Sequence, residues 1–316
     1  MNISEIYQLA IKLGKENDPR GLAEVEQGLT KAGKEFAELK EEKRGEFDQS
    51  KLTNPYSDTR ILHGAGDKEI KRVLVGVDIE VGEVLLADRL REKGQGIDLI
   101  IAHHPEGKAL AALHDVMHMQ EGILHKFGVP INVAEGIMAS RISEVKRGLM
   151  PLNHNKAVDA ARILDLPLMC VHTPADNLVT AYVQKFLDDK QPETLDDMLK
   201  VLKEIPEYAE AVKTNAGPAI FAGSGKRKAG KIFVDMTGGT GGSEDAYAKL
   251  SQAGVGTLVG MHIGEKHRKE AEKNHVNVVI AGHIASDSLG MNLFLDHLAS
   301  QGIEIVACSG ITRIQR

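Results

Sequence analysis

The sequence predicts an α/β protein of two related α/β lobes, with mostly parallel strands and a metal crevice between the lobes. Three observations predict it. Continuous Val/Ile/Leu runs alternate with amphipathic segments: KRVLVGVDI at 71–79, VGEVLLADRLREKG at 81–94 and IDLIIAHHP at 97–105. Apolar runs of this kind are strands covered on both faces, as in a parallel sheet. The pattern then returns. Residues 73–108 slide onto 232–267 without a gap, pairing VLVGVDI with IFVDMTG and DLIIAHHPEG with TLVGMHIGEK, and LPLMCVHTPAD echoes NVVIAGHIASD. Repetition of this length implies two lobes duplicated and diverged. Finally, three strand ends carry histidine, two of them with a carboxylate four residues on: His103-His104-Pro105, His172 with Asp176, and His283 with Asp287.

Taken in order, residues 1–50 read as a helical extension outside the catalytic core. Ile3, Ile6, Tyr7, Ala10 and Ile11 recur at helical spacing, and Asn17, Asp18 and Pro19 break the pattern. Leu22 to Phe47 is helical but heavily charged, which fits a solvated face or an oligomer contact. The first lobe covers 51–180 and the second 181–316. In the first lobe, ALAALHDVMHMQEGILHKFG at 109–128 reads as one helix whose His114, His118 and His125 form a polar stripe. AVDAARILD gives another helix and LPLMCVHT a strand. Residues 181–217 are helical, with TLDDMLKVLKEI ended by Pro206.

Composition narrows the function. Aromatic content is 4% with no Trp, too little for stacking on bases, and the net charge of −6 opposes binding to a phosphate backbone. Direct nucleic-acid contact is therefore not expected. No apolar run approaches a membrane span, and the first residues lack the charged-then-apolar pattern of a signal peptide. The two cysteines, Cys170 and Cys308, lie in apolar runs and read as buried thiols of a cytoplasmic protein.

The chemistry sits at the strand ends, where ligands of open α/β sheets bind. Adjacent histidines on a regular strand point to opposite faces, so His103 and His104 reach two neighbouring ions more readily than one. Pro105 restricts His104 to an extended backbone. In the two His-x-x-x-Asp segments, a helix beginning at the histidine brings both side chains to one face. Imidazole and carboxylate together suit Zn, Mn, Fe, Co or Ni. His103, His104, Asp176, His283 and Asp287 are thus expected to hold two divalent ions roughly 3.5–4 Å apart, with a metal-bound hydroxide as nucleophile. The repeat places His262, Glu265 and His267 beside the crevice, and with Glu106 (the counterpart of Glu265) and His172 (the counterpart of His283) they are candidates to orient ligands or touch substrate. Gly238 and Gly239, in TGGTGGSE at 237–244, form a turn suited to line the crevice or approach a phosphate, although no P-loop lysine follows.

These pieces, VGVDI with DLIIAHHPEG, VHTPADN, DMTGGTGGSEDAYAKLSQAGVGTLVGMHIGEKHRKEA and VNVVIAGHIASDSLGMN, resemble the NIF-three-like family, the Ngg-interacting-factor-three homologues also labelled GTP cyclohydrolase I type 2. The likeness covers about residues 55–316. It implies a toroidal homohexamer and a dinuclear site in which His103 and His283 bind one ion and His104 and Asp176 the other. Asp287 would bridge, where the family usually has the longer Glu. It also implies a metal-dependent hydrolase acting on a nucleotide-like or phosphorylated small molecule. The alternative is a non-enzymatic metal-binding, regulatory or metal-chaperone hexamer. No residue here is assigned to reading guanine.

Overall fold

A computed structural model describes all residues, 1–316. Asn2 and Glu5 form a capping box that opens α1 (Ile3–Glu16), and Ile3, Ile6 and Ala10 on its apolar stripe are fully buried. The charged helix α2 (Leu22–Glu38) buries only Val25 and is followed by the short α3 (Glu41–Arg44), so the helical reading of 22–47 breaks at Leu39 and Lys40.

The first lobe begins with β1 (Arg60–His63), β2 (Arg72–Gly76), α4 (Val81–Glu92) and β3 (Leu99–Ala102). Helices α5 (Gly107–Ala111), α6 (Leu113–Val116) and α7 (Met119–Lys126) follow, then α8 (Ile131–Leu149), α9 (Lys156–Ile163) and β4 (Leu168–Cys170). The single helix expected at 109–128 is therefore three short pieces. After α10 (Thr173–Lys190) and α11 (Leu195–Leu202), Pro206 opens α12 (Pro206–Lys213) rather than ending a helix, since the first turn has no use for its missing N–H. The second lobe holds β5 (Ala219–Ala222), β6 (Lys231–Asp235), α13 (Ala246–Gln252), β7 (Val255–Gly260), α14 (Glu265–Lys273), β8 (Asn277–Ile280) and α15 (His283–Ser300). The last strand is β9 (Glu304–Ala307).

The duplication is visible in the sheets. The first has the order β1-β4-β3-β2-β9 and the second β5-β8-β7-β6. In each, the leading strand is antiparallel to its neighbour and the others run parallel. Only β9 has no counterpart.

Helices α10 and α15 lie between the two sheets and are apolar on two sides, one for each sheet. Ala175 and Leu178 of α10, with Phe294, Leu295 and Leu298 of α15, pack on the first sheet together with α1. Val179, Val183 and Leu187 of α10, with Ala285 and Leu289 of α15, pack on the second. The two helices meet backbone to side at Gly290, where a Cβ would lie 2.4 Å from the Ala175 carbonyl oxygen.

The apolar stripe of α1 is covered by β2, β3 and α10. Helix α10 runs across residue 181, and β9 returns to pair with β2 of the first sheet. No helix is long and apolar enough to cross a membrane.

Candidate metal centre

Strands β3, β4 and β8 deliver their C-terminal ends to one place. The His103 and His104 amides donate to the Gly76 and Val77 carbonyls, each at 2.9 Å, which prolongs the β2–β3 ladder past Ala102. The two imidazoles therefore alternate: His103 is buried and His104 is half-buried. His172 caps α10 and His283 starts α15, each with its aspartate one turn on. Gly282, before His283, has φ 116°, and a Cβ there would sit 2.5 Å from the Ala216 carbonyl oxygen. Only glycine accommodates both conditions.

Each of the three first-lobe histidines is held from behind. His103 Nδ1–H donates to the Val171 carbonyl at 3.0 Å, His104 Nδ1 faces Asp78 Oδ1 at 2.7 Å, and His172 Nδ1 faces Asp58 Oδ2 at 2.8 Å. Asp58 also accepts from the Thr173 hydroxyl at 2.6 Å. A carbonyl or carboxylate on Nδ1 places the proton there and leaves the Nε2 lone pair free for a cation.

The Nε2 atoms converge on two carboxylates. His103 Nε2 lies 3.4 Å from Asp176 Oδ1 and 3.4 Å from Asp287 Oδ1. On the other side, Asp287 Oδ2 lies 3.7 Å from His104 Nε2 and 3.6 Å from His283 Nε2. His172 Nε2 is 3.6 Å from Asp176 Oδ2. His103 Nε2, Asp176 Oδ1 and both Asp287 oxygens are buried without a hydrogen-bond partner. The spacing explains why: two ligands about 2.1 Å from one tetrahedral ion stand ~3.4 Å apart. Unpaired buried carboxylates cost several kcal/mol each by rough estimate, so this donor set fits first-row divalent ions and is costly without a cation.

The electrostatics agree. Burial opposes charge on His103, but Asp287 and Asp176 outweigh it and raise its pKa well above the usual imidazole range. At His172 burial is likewise outweighed, by Asp176 and Asp58. Burial, with His103 and His172 nearby, pushes His104 down to about 4. Asp287 is held below the usual carboxylate range because His103, His283 and His104 together overcome its burial.

No family model and no curated protein matches this chain. Among solved structures, it is similar to a NIF3 superfamily protein from Sphaerobacter thermophilus, with 26% identity over 80% of this chain and 91% of that one, at a TM-score of 0.70. The fold is that of the NIF3 superfamily. Reduced HcgD from Methanocaldococcus jannaschii has the same fold at 16% identity and a TM-score of 0.50, covering 79% of this chain and 87% of that one.

Within this NIF3 fold, the five residues expected from the sequence as ligands lie together: Asp176 stands near His103 and Asp287, and His283 near His104 and Asp287. His172, expected behind the ligands, itself points Nε2 at the cluster with His103 and His104. His262 joins the edge, its ring 5.1 Å from that of His283. Glu265 does not: it is exposed on α14 and paired with Arg268. Glu106 caps α5 beside Glu80 and Asp78, and burial pushes its carboxyl up to about 7. Gly238 and Gly239 have positive φ and turn toward Gln120, Val116 and Leu113, so they shape the loop rather than line the centre.

Two residues escaped the sequence reading. Asp78 stands in plain view in VGVDI, at the end of a strand that is otherwise apolar, and that isolated charge was the available signal. Asp58 precedes β1 in no periodic pattern, and only the pairing of β1 with β4 brings it under His172.

Proposed function

We propose that this chain is a metal-dependent hydrolase that holds two divalent ions, of the Zn, Mn, Fe, Co or Ni class, and acts on a nucleotide-like or phosphorylated small molecule. The observation that carries the reading is Asp287. Its two oxygens face different histidine sets, Oδ1 toward His103 at 3.4 Å and Oδ2 toward His283 at 3.6 Å and His104 at 3.7 Å. One ion would be held by His103 and Asp176, with His172 as a further donor, and the other by His104 and His283. Asp287 is short, but it stands one turn into α15, between both sets, so it can bridge.

When bound, such a pair activates water and neutralises the negative charge that develops in hydrolysis. The chain supplies the rest. Asp78 and Asp58 fix two imidazoles, and His103, His283 and His104 together hold Asp287 in its anionic form. The half-buried His104 and His283 leave the outer side of the centre open to a substrate. We further propose that the chain assembles as a homohexamer, as the family resemblance implies.

Elemental analysis of purified protein beside a His104→Ala variant tests the reading, with GTP and generic phosphoesters assayed in parallel. About two ions per chain, fewer in the variant and activity lost with them, is the expected result. Two ions with no turnover would turn the reading toward metal storage or regulation. Wild-type protein that takes up no ion after loading would overturn it. Light scattering of the loaded protein checks the hexamer.

A further inference from the structure

A second polar site lies in the second lobe. Phe233 and Asp235 project from the same face of β6, and beside Leu258 and Tyr247 they line a cavity of about 40 Å³ closed by Gln120 and His267. Asp235 is half-buried at the end of β6, its carboxylate makes no ion pair or hydrogen bond, and burial pushes its pKa up to about 6. The Gln120 Nε2 donors are spent on the Gly238 and Thr240 carbonyls, at 2.6 and 2.7 Å. What remains for a ligand is the Asp235 carboxylate, the Gln120 side-chain oxygen and the Ser243 hydroxyl as neutral partners, the Tyr247 ring with the His267 ring edge-on at 5.8 Å, and apolar walls.

We infer that this cavity binds the planar cationic head of a small amidinium or guanidinium compound, with Asp235 as the anchoring carboxylate. A carboxylate accepts two parallel N–H bonds from such a fork, and aromatic faces attract a desolvated cation. The apolar walls strengthen the pairing by excluding water. A neutral amide of the same shape lacks the charge, and a primary ammonium lacks the fork. Gly242 and Ser243 line the cavity, and Gly241 next to them would place a Cβ 3.9 Å from His262 Cε1, so the same loop borders the metal centre.

The inference stands apart from the metal reading, because no metal ligand lines the cavity. Calorimetric titration with acetamidinium, acetamide and methylammonium tests it, on metal-depleted and metal-loaded protein alike. Acetamidinium should bind at least tenfold tighter than either other probe in both metal states, and Asp235→Asn should lose that preference. Should Asp235→Asn not fold, Leu258→Phe fills the cavity instead and should abolish binding. Equal binding of acetamidinium and acetamide, or of acetamidinium and methylammonium, would overturn the inference. So would an unchanged preference in either folded variant.

Discussion

Asp58 and Asp78 touch no other carboxylate of the centre, yet they decide which nitrogen of His172 and His104 faces it. Removing such a support typically costs roughly 10–100-fold in metal affinity. Asp78→Asn is therefore expected to weaken the ion held by His104 and His283 by about that factor, while the ion at His103 and Asp176 is retained. Competition with a chromophoric chelator, resolving two steps, checks this; equal weakening of both steps would count against the grouping. The same histidines set a pH response. His103 and His172 have pKa values raised on folding, so their stabilisation is complete below the unfolded value of about 6.5 and is lost as pH rises through the folded values. His104, lowered to about 4, is neutral in both states above about pH 6.5 and does not oppose the loss there. Metal-depleted protein should thus lose Tm as pH rises above about 6.5, and loaded protein should not, because ions take the protons' place. Scanning calorimetry of both forms decides the matter, and a metal-free Tm that climbs over that window would contradict the raised histidines.

At the scale of the element, the spacing of α10 and α15 sets the distance between Asp176 and Asp287. Gly290 allows that spacing by leaving room for the Ala175 carbonyl, one residue before Asp176. Ala is the better helix former, by about 1 kcal/mol on intrinsic propensity. Here the contact is expected to reverse the sign, since overpacking typically costs 1–3 kcal/mol. Gly290→Ala should lower the urea midpoint by an amount in that range and weaken metal binding as well. A variant as stable as wild type, with unchanged affinity, would mean that the helices separate freely and do not position the centre.

For the whole molecule, the C-terminal segment ties one lobe to the other. After β9 joins the first sheet, the Thr312 amide donates to Ser288 of α15 at 3.1 Å, and Arg313 meets Asp296. Arg316 then reaches the buried Glu207 of α12 through bonds of 2.8 and 2.6 Å. Removing one partner of a buried pair is costly because the other charge is left unpaired, and Arg316 is itself partly exposed, which reduces the effect. Deleting Arg316 is expected to cost about 2–3 kcal/mol of stability by that reasoning, whereas Glu207→Gln with Arg316 intact should cost less. Chemical denaturation of both variants checks the order, and equal costs would show that the buried charge is not the origin.

The residues themselves determined the α/β class, the duplication and the histidines and aspartates that meet at the strand ends. Apolar runs alternating with amphipathic segments read as internal strands. How those side chains group was beyond sequence: Asp176 and His103 come together because β4 pairs with β3, a contact between residues far apart in the chain. The role of α1 was hidden for a similar reason, since an amphipathic stripe shows that a helix is covered but not by what. Asp58 shows the limit most clearly. A lone aspartate carries no periodic signal, and only tertiary structure, by laying β1 along β4, turned it into the support of a metal-facing histidine.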